Sequence, residues 1–144
     1  MTAKKRSMAT RPTTSSRKMA RGGCLCGEVA FELVRAAGRE MDCHCSRCRR
    51  SQNSVHATNI FVDVAKFRWL RGEEHISNYG PPRDWHFGSA FCRSCGSTLP
   101  RVVRSVGIVV VPTGTLDCDP GMQATGYGFV DLRHPSTNGS SALN

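Results

Sequence analysis

Seven of the eight cysteines in this 144-residue chain fall into three tight groups, and these groups constrain its fold more than any other feature. "GGCLCG" holds Cys24 and Cys26, "CHCSRC" holds Cys43, Cys45 and Cys48, and "FCRSCGS" holds Cys92 and Cys95; Cys118 stands alone. Eight is an even number, which also suits a secreted disulfide scaffold. The basic N-terminus lacks the apolar stretch of a secretory signal, however, and C-x-C spacing strains a direct disulfide. Tight clusters in an intracellular chain point to metal binding.

"CRSCG" has the form of a zinc knuckle. Two intervening residues let both sulfurs turn to one ion, and the following Gly96 permits the tight backbone. "CLCG" supplies a second pair, so Cys24, Cys26, Cys92 and Cys95 make a closed tetrahedral zinc site that fastens the first strand to one far along the chain. Closing so long a loop removes freedom from the unfolded chain, which makes this site structural. Cys43, Cys45 and Cys48 are then one ligand short. Three protein ligands with an open fourth position is the arrangement of catalytic zinc. Two residues stand as ways to close that site instead: His44, although its ring is expected to point elsewhere, and Cys118. Knuckle-type pairs favour zinc over an iron–sulfur cluster. Two Zn²⁺ per chain is the expectation.

The length fits one small domain, whose modest core gains from metal cross-links. No apolar run is long enough for a membrane helix, and a soluble, cytoplasmic protein is expected. The formal charge of +9 is unevenly placed. Residues 1–21 carry seven Lys and Arg and no acid, so the remainder holds 13 basic against 11 acidic groups. With seven thiolates and two zinc ions that remainder comes to about −1. Any nucleic-acid or other polyanion contact must therefore rest on the tail.

Three segments are expected: a disordered basic tail over 1–21, within which Met19 offers an alternative start; a zinc domain over 22–132; and a disordered tail over 133–144. Within the domain, short strands are predicted at 27–34, 59–62, 67–70, 75–79, 86–91 and 107–112. In the first, Val29, Phe31 and Leu33 face inward while Glu28, Ala30 and Glu32 form a wet face. A turn falls at 79–84, and the one helix at 46–52, capped by Ser46. Trp69 and Trp85 read as partly buried core aromatics. His56 and His86 are available as proton carriers, but a lone strand histidine is more often a surface residue.

Taken in order, "GGCLCGEVAFEL", "CHCSRCRRS", "FCRSCGSTL" and "GTLD" (114–117) resemble the glutathione-dependent formaldehyde-activating enzyme family, which includes centromere protein V-like proteins. The resemblance covers roughly residues 22–130. It implies a mainly β, Mss4-like β-tent of short antiparallel strands stapled by zinc, with the ligands divided as above: a structural ion on Cys24, Cys26, Cys92 and Cys95, and a labile catalytic one on Cys43, Cys45 and Cys48. The implied activity is that of a carbon–sulfur lyase, joining formaldehyde to glutathione as S-hydroxymethylglutathione or reversing that step. Two departures stand out. Cys118 follows "GTLD" where the family calls for no cysteine, and the C-terminus lacks the family's closing His-containing strand and Trp, which "GYGFV" alone follows.

At an open triplet site a substrate thiol would lose its proton and attack an aldehyde carbon. No catalytic residue beyond the metal ligands is expected. Arg47 and Arg49, with Arg50, are candidates to hold the carboxylates of a glutathione-like thiol, against the plainer reading of a solvated basic helix face. The rival function is a zinc-stabilised binding module without catalysis, its basic arm engaging nucleic acid or another polyanion. Oligomeric state is not legible in strands this short.

Overall fold

The computed structural model describes residues 18–80, 87–122 and 124–136. Its elements are β1 (Met19–Gly23), β2 (Ala30–Val34), β3 (Gly38–Cys43), α1 (Ser46–Gln52), β4 (Ala57–Asp63), β5 (Phe67–Arg71), β6 (Ile76–Tyr79), β7 (Ser89–Cys92), β8 (Thr98–Leu99), β9 (Arg101–Val103), β10 (Ile108–Pro112) and β11 (Ala124–Gly128). They form three small sheets, ordered β1-β2-β5, β11-β3-β4-β10-β9 and β6-β7-β8. The chain is mainly β, as expected, with a single α-helix among the described residues.

Two apolar clusters hold the sheets together. Ala20, Phe31 and Leu33 from the first sheet meet Ile60, Val62, Val109 and Val111 from the second. β-branched residues dominate the second sheet's contribution because they pack well on a pleated surface. Val29, Ala90, Cys92 and Leu99 form the smaller cluster, and half-buried Trp69 packs against both. Trp69 also sits edge-on to Phe67, with ring centroids 4.9 Å apart, an arrangement aromatic quadrupoles favour.

Several expectations change at this level. The tail boundary at residue 21 falls inside β1, whose Ala20 is fully buried against the core. A segment without apolar periodicity still pairs here because its edge is matched residue for residue to β2, Met19 opposite Val34 through Gly23 opposite Ala30. Gly22 is required by close approach. A Cβ there would lie 2.3 Å from the Thr115 carbonyl oxygen, where β1 forms an isolated bridge from Gly22 to Leu116.

Glu32 was expected on a wet face and is instead buried. Its register partners are Arg21 on β1 and Arg68 on β5. Arg21 Nε donates to Oε2 at 3.2 Å and Arg68 Nε to Oε1 at 2.6 Å. Two guanidinium groups thus cover a carboxylate that burial alone would penalise. One of the seven N-terminal cations is thereby committed to the fold.

Strand β3 escaped prediction, and β11 pairs with it in parallel, Gly128 beside Cys43, so the sheets are not wholly antiparallel. The strand expected over 27–34 begins at Ala30, because Gly27, with φ of +82°, belongs to the preceding turn. That over 86–91 begins at Ser89. Trp85, His86 and most of the 79–84 turn lie outside the described residues, as do 1–17 and 137–144. No helix among the described residues is long and apolar enough to cross a membrane.

Candidate metal centre

Two groups of cysteine sulfurs are gathered, each within 4.8 Å of its own members: Cys24, Cys26, Cys92 and Cys95, and Cys43, Cys45 and Cys48. In the first, two turns bring the pairs face to face. The Cys24–Cys26 turn is closed by Cys24 N–H donating to the Val29 carbonyl at 3.1 Å and Gly27 N–H donating back to the Cys24 carbonyl at 3.1 Å. The Cys92–Cys95 turn is closed by Gly96 N–H on the Cys92 carbonyl at 2.7 Å, with Gly96 at φ of +75°. Cys24 and Cys26 sulfurs stand 3.5 Å apart, and Cys26 and Cys92 sulfurs 3.8 Å. Sulfurs about 2.3 Å from one tetrahedral ion stand about 3.8 Å from each other, so this donor set fits a soft divalent metal.

The protonation pattern agrees. At Cys95 a hydrogen bond with the Ser97 hydroxyl pulls the thiol down to about 6. At Cys26 the Glu28 backbone works in the same direction, but the neighbouring Cys24, Cys95 and Cys92 sulfurs drive the thiol up to about 12. Four crowded thiolates repel one another, and a cation among them removes that penalty.

The second group is set by a sheet end and a helix start. Cys43 closes β3, held between Ala57 of β4 and Gly128 of β11. Cys45 rather than Ser46 is the N-cap of α1, its sulfur accepting from the Cys48 N–H at 3.3 Å. Its extended backbone (ψ of 149°) places that sulfur over the first turn, where a cap must reach. Burial opposes ionisation of Cys45, yet the Cys48 N–H and the neighbouring thiols hold it below the usual range. Burial first, then the Cys45 and Cys43 sulfurs, pushes Cys48 well above it. Cys45 is thus the sulfur of the three whose ionised form its neighbours favour.

Neither rival fourth ligand joins this group. Cys118 is exposed and belongs to neither cluster. The His44 ring is buried between His56 and Tyr127, at centroid distances of 5.3 and 6.2 Å. Neither of its ring nitrogens has a hydrogen-bond partner, and burial, then the His56 charge, holds the imidazole below its usual range.

A cavity of about 320 Å³ opens beside Cys43 and Cys48. Its walls are largely apolar, with Ser51, Gln52, Asn59 and Arg101 among the polar exceptions. Gln52 Nε2 donates to Asn59 Oδ1 at 2.7 Å, which fixes both amides. Burial lowers the Arg101 guanidinium from its ordinary value, while the ionised form of Cys48 would act the other way. Arg47 and Arg49 do not line this cavity. Arg47 stacks over the Phe87 ring at 5.9 Å, and Arg49 donates to the His44 carbonyl at 3.1 Å, bracing the backbone between two cysteines. Arg101 escaped notice because it lies about fifty residues from the triplet and carries no local motif. His56 stands 3.8 Å from Asp42, away from the cavity walls.

The family model for glutathione-dependent formaldehyde-activating enzymes matches residues 19–131. The chain belongs to that family. Its first matched residue coincides with the start of β1, not with the tail boundary expected from composition. This formaldehyde-activating family member is also similar to the crystal structure of a Rhodobacter sphaeroides protein, at 26% identity and a TM-score of 0.53, over 74% of this chain and 98% of that one.

Proposed function

We propose that this chain is a zinc-dependent carbon–sulfur lyase-type enzyme that makes or breaks a thiol–aldehyde adduct, with a glutathione-like thiol as one substrate. Membership of an enzyme family named for glutathione and formaldehyde supports the substrate class. The observation that carries the mechanism is the three-sulfur group of Cys43, Cys45 and Cys48, joined by no fourth Cys, His, Asp or Glu among the described residues and bordering a cavity.

In the forward direction the thiol sulfur bonds to the aldehyde carbon, the carbon–oxygen π bond breaks, and the thiol proton ends on the new hydroxyl. No electrons are gained or lost. A zinc ion on Cys43, Cys45 and Cys48 supplies two things when bound: it favours the ionised form of an incoming thiol, and it polarises oxygen. The remaining work falls to the chain. Strands β3, β4 and β11 fix Cys43, and the N-cap geometry of α1 fixes Cys45 over Cys48, so the donors are set before substrate enters. The apolar walls offer water few hydrogen-bond partners beside the reacting atoms. The amides of Gln52 and Asn59, locked by their mutual hydrogen bond, offer directed polar contacts to an aldehyde oxygen. Arg101 provides a positive charge for a substrate carboxylate or a developing alkoxide.

Metal analysis of purified protein, with and without Cys48→Ser, tests this reading alongside the rate of glutathione–aldehyde adduct formation above the uncatalysed rate. The substitution is expected to remove one zinc equivalent and the rate enhancement together. Unchanged zinc content with an unchanged rate would remove the catalytic site.

A further inference from the structure

The cavity beside the cysteine triplet presents apolar surface that neither a one-carbon aldehyde nor the charged ends of a glutathione-like thiol would match. Its volume of about 320 Å³ is shared by both reactants, so the match of chemistry rather than of size decides what fits. Met41, Phe61, Phe87, Leu99, Val110 and Phe129 supply its apolar surface. Apart from the thiols, Arg101 is the one formally charged side chain among the described lining residues. A wall of this kind gains from apolar surface on the ligand and has little to offer a second charge.

Phe129 adds an independent observation. It lines the cavity yet is 66% exposed, so the ring sits at the rim. Its backbone is left-handed, with φ of 54° and ψ of 46°, a conformation costly for a bulky side chain. The surroundings hold it there. His44 N–H donates to the Gly128 carbonyl at 2.9 Å on one side, and Leu132 N–H donates to the Phe129 carbonyl at 3.0 Å on the other. The strained backbone thus presents an exposed aromatic ring at the mouth of an apolar cavity, where a ligand can meet it.

We infer that the substrate aldehyde carries an apolar group, aromatic or short-chain aliphatic, that this group occupies the cavity in the glutathione adduct, and that Phe129 packs against it. The inference rests on the proposed thiol–aldehyde chemistry but is tested apart from turnover. Two stable thioethers, S-benzylglutathione and S-methylglutathione, share one peptide and differ in the apolar group alone. Calorimetric titration of zinc-loaded protein is expected to show the benzyl compound binding at least about tenfold more tightly, as burial of a phenyl ring requires. Phe129→Gly, which relieves the left-handed strain, should weaken the benzyl compound about fivefold, leave the methyl compound unchanged and not lower the Tm. Equal affinities for the two thioethers in the native protein overturn the inference while leaving the glutathione reading in place. So does an unaltered benzyl preference in the variant. If neither thioether binds, glutathione itself is wrong for this site, and the inference falls with it.

Discussion

The two cysteine groups use the same ligand atom in opposite settings. Cys24, Cys92 and Cys95 take part in the smaller apolar cluster, and their sulfurs are reached through turns closed by backbone hydrogen bonds. They join segments nearly 70 residues apart. Cys43, Cys45 and Cys48 join segments only a few residues apart, and Cys43 and Cys48 face a cavity rather than a core. A metal in the first group therefore constrains the unfolded chain and stabilises the fold, whereas one in the second closes little chain and has a cavity at its side. Ligand number is only part of the distinction between structure and chemistry. What each group packs against supplies the rest.

That contrast can be broken most severely at Cys92. Cys92→Ser should cost most of the folding free energy, because metal binding of the order of 10 kcal/mol is coupled to folding in small zinc domains. Loss of the cooperative thermal transition, followed by circular dichroism, is the expected result. A variant that melts normally would show that the four-sulfur group is dispensable. Cys48→Ser is predicted to do the reverse, keeping the melting transition nearly intact while reducing adduct formation by about 100-fold or more. Should it unfold the protein as Cys92→Ser does, the two groups are not functionally distinct.

Gly22→Ala sharpens the same comparison without touching a ligand. Its methyl group would collide with the Thr115 carbonyl beside the Cys24 turn, at a cost of about 1–3 kcal/mol by urea denaturation. Metal at the four-sulfur group should loosen while the triplet's occupancy is retained. The smallest effect is expected at Ser97, whose hydroxyl lies 3.1 Å from the Cys95 sulfur and accepts from the Leu25 N–H at 3.0 Å. Ser97→Ala should weaken metal at the four-sulfur group by about tenfold, as loss of an outer partner does. Competition with a chromogenic chelator measures it. An equal loss at the triplet would mean the sites are coupled.

Cysteine spacing alone divided seven cysteines into a group of four and a group of three, as the fold gathers them, and alternation located the cores of β2, β4, β5 and β10. Both signals are local: a knuckle's reach and a strand's period of two are fixed within a few residues. The same reasoning could not find β1 or β3, whose pairing depends on partners supplied by β2 and β4 rather than on their own pattern. Nor could it foresee the burial of Glu32, which becomes tolerable only when Arg21 and Arg68 arrive from separate strands. Tertiary structure likewise decided that Cys118 stays at the surface, that His44 turns into a pocket of rings, and that Arg101 rather than Arg47 or Arg49 lines the cavity. Each of these depends on which distant segment lies alongside. A one-dimensional pattern specifies what a residue can do, and only the folded chain specifies what it meets.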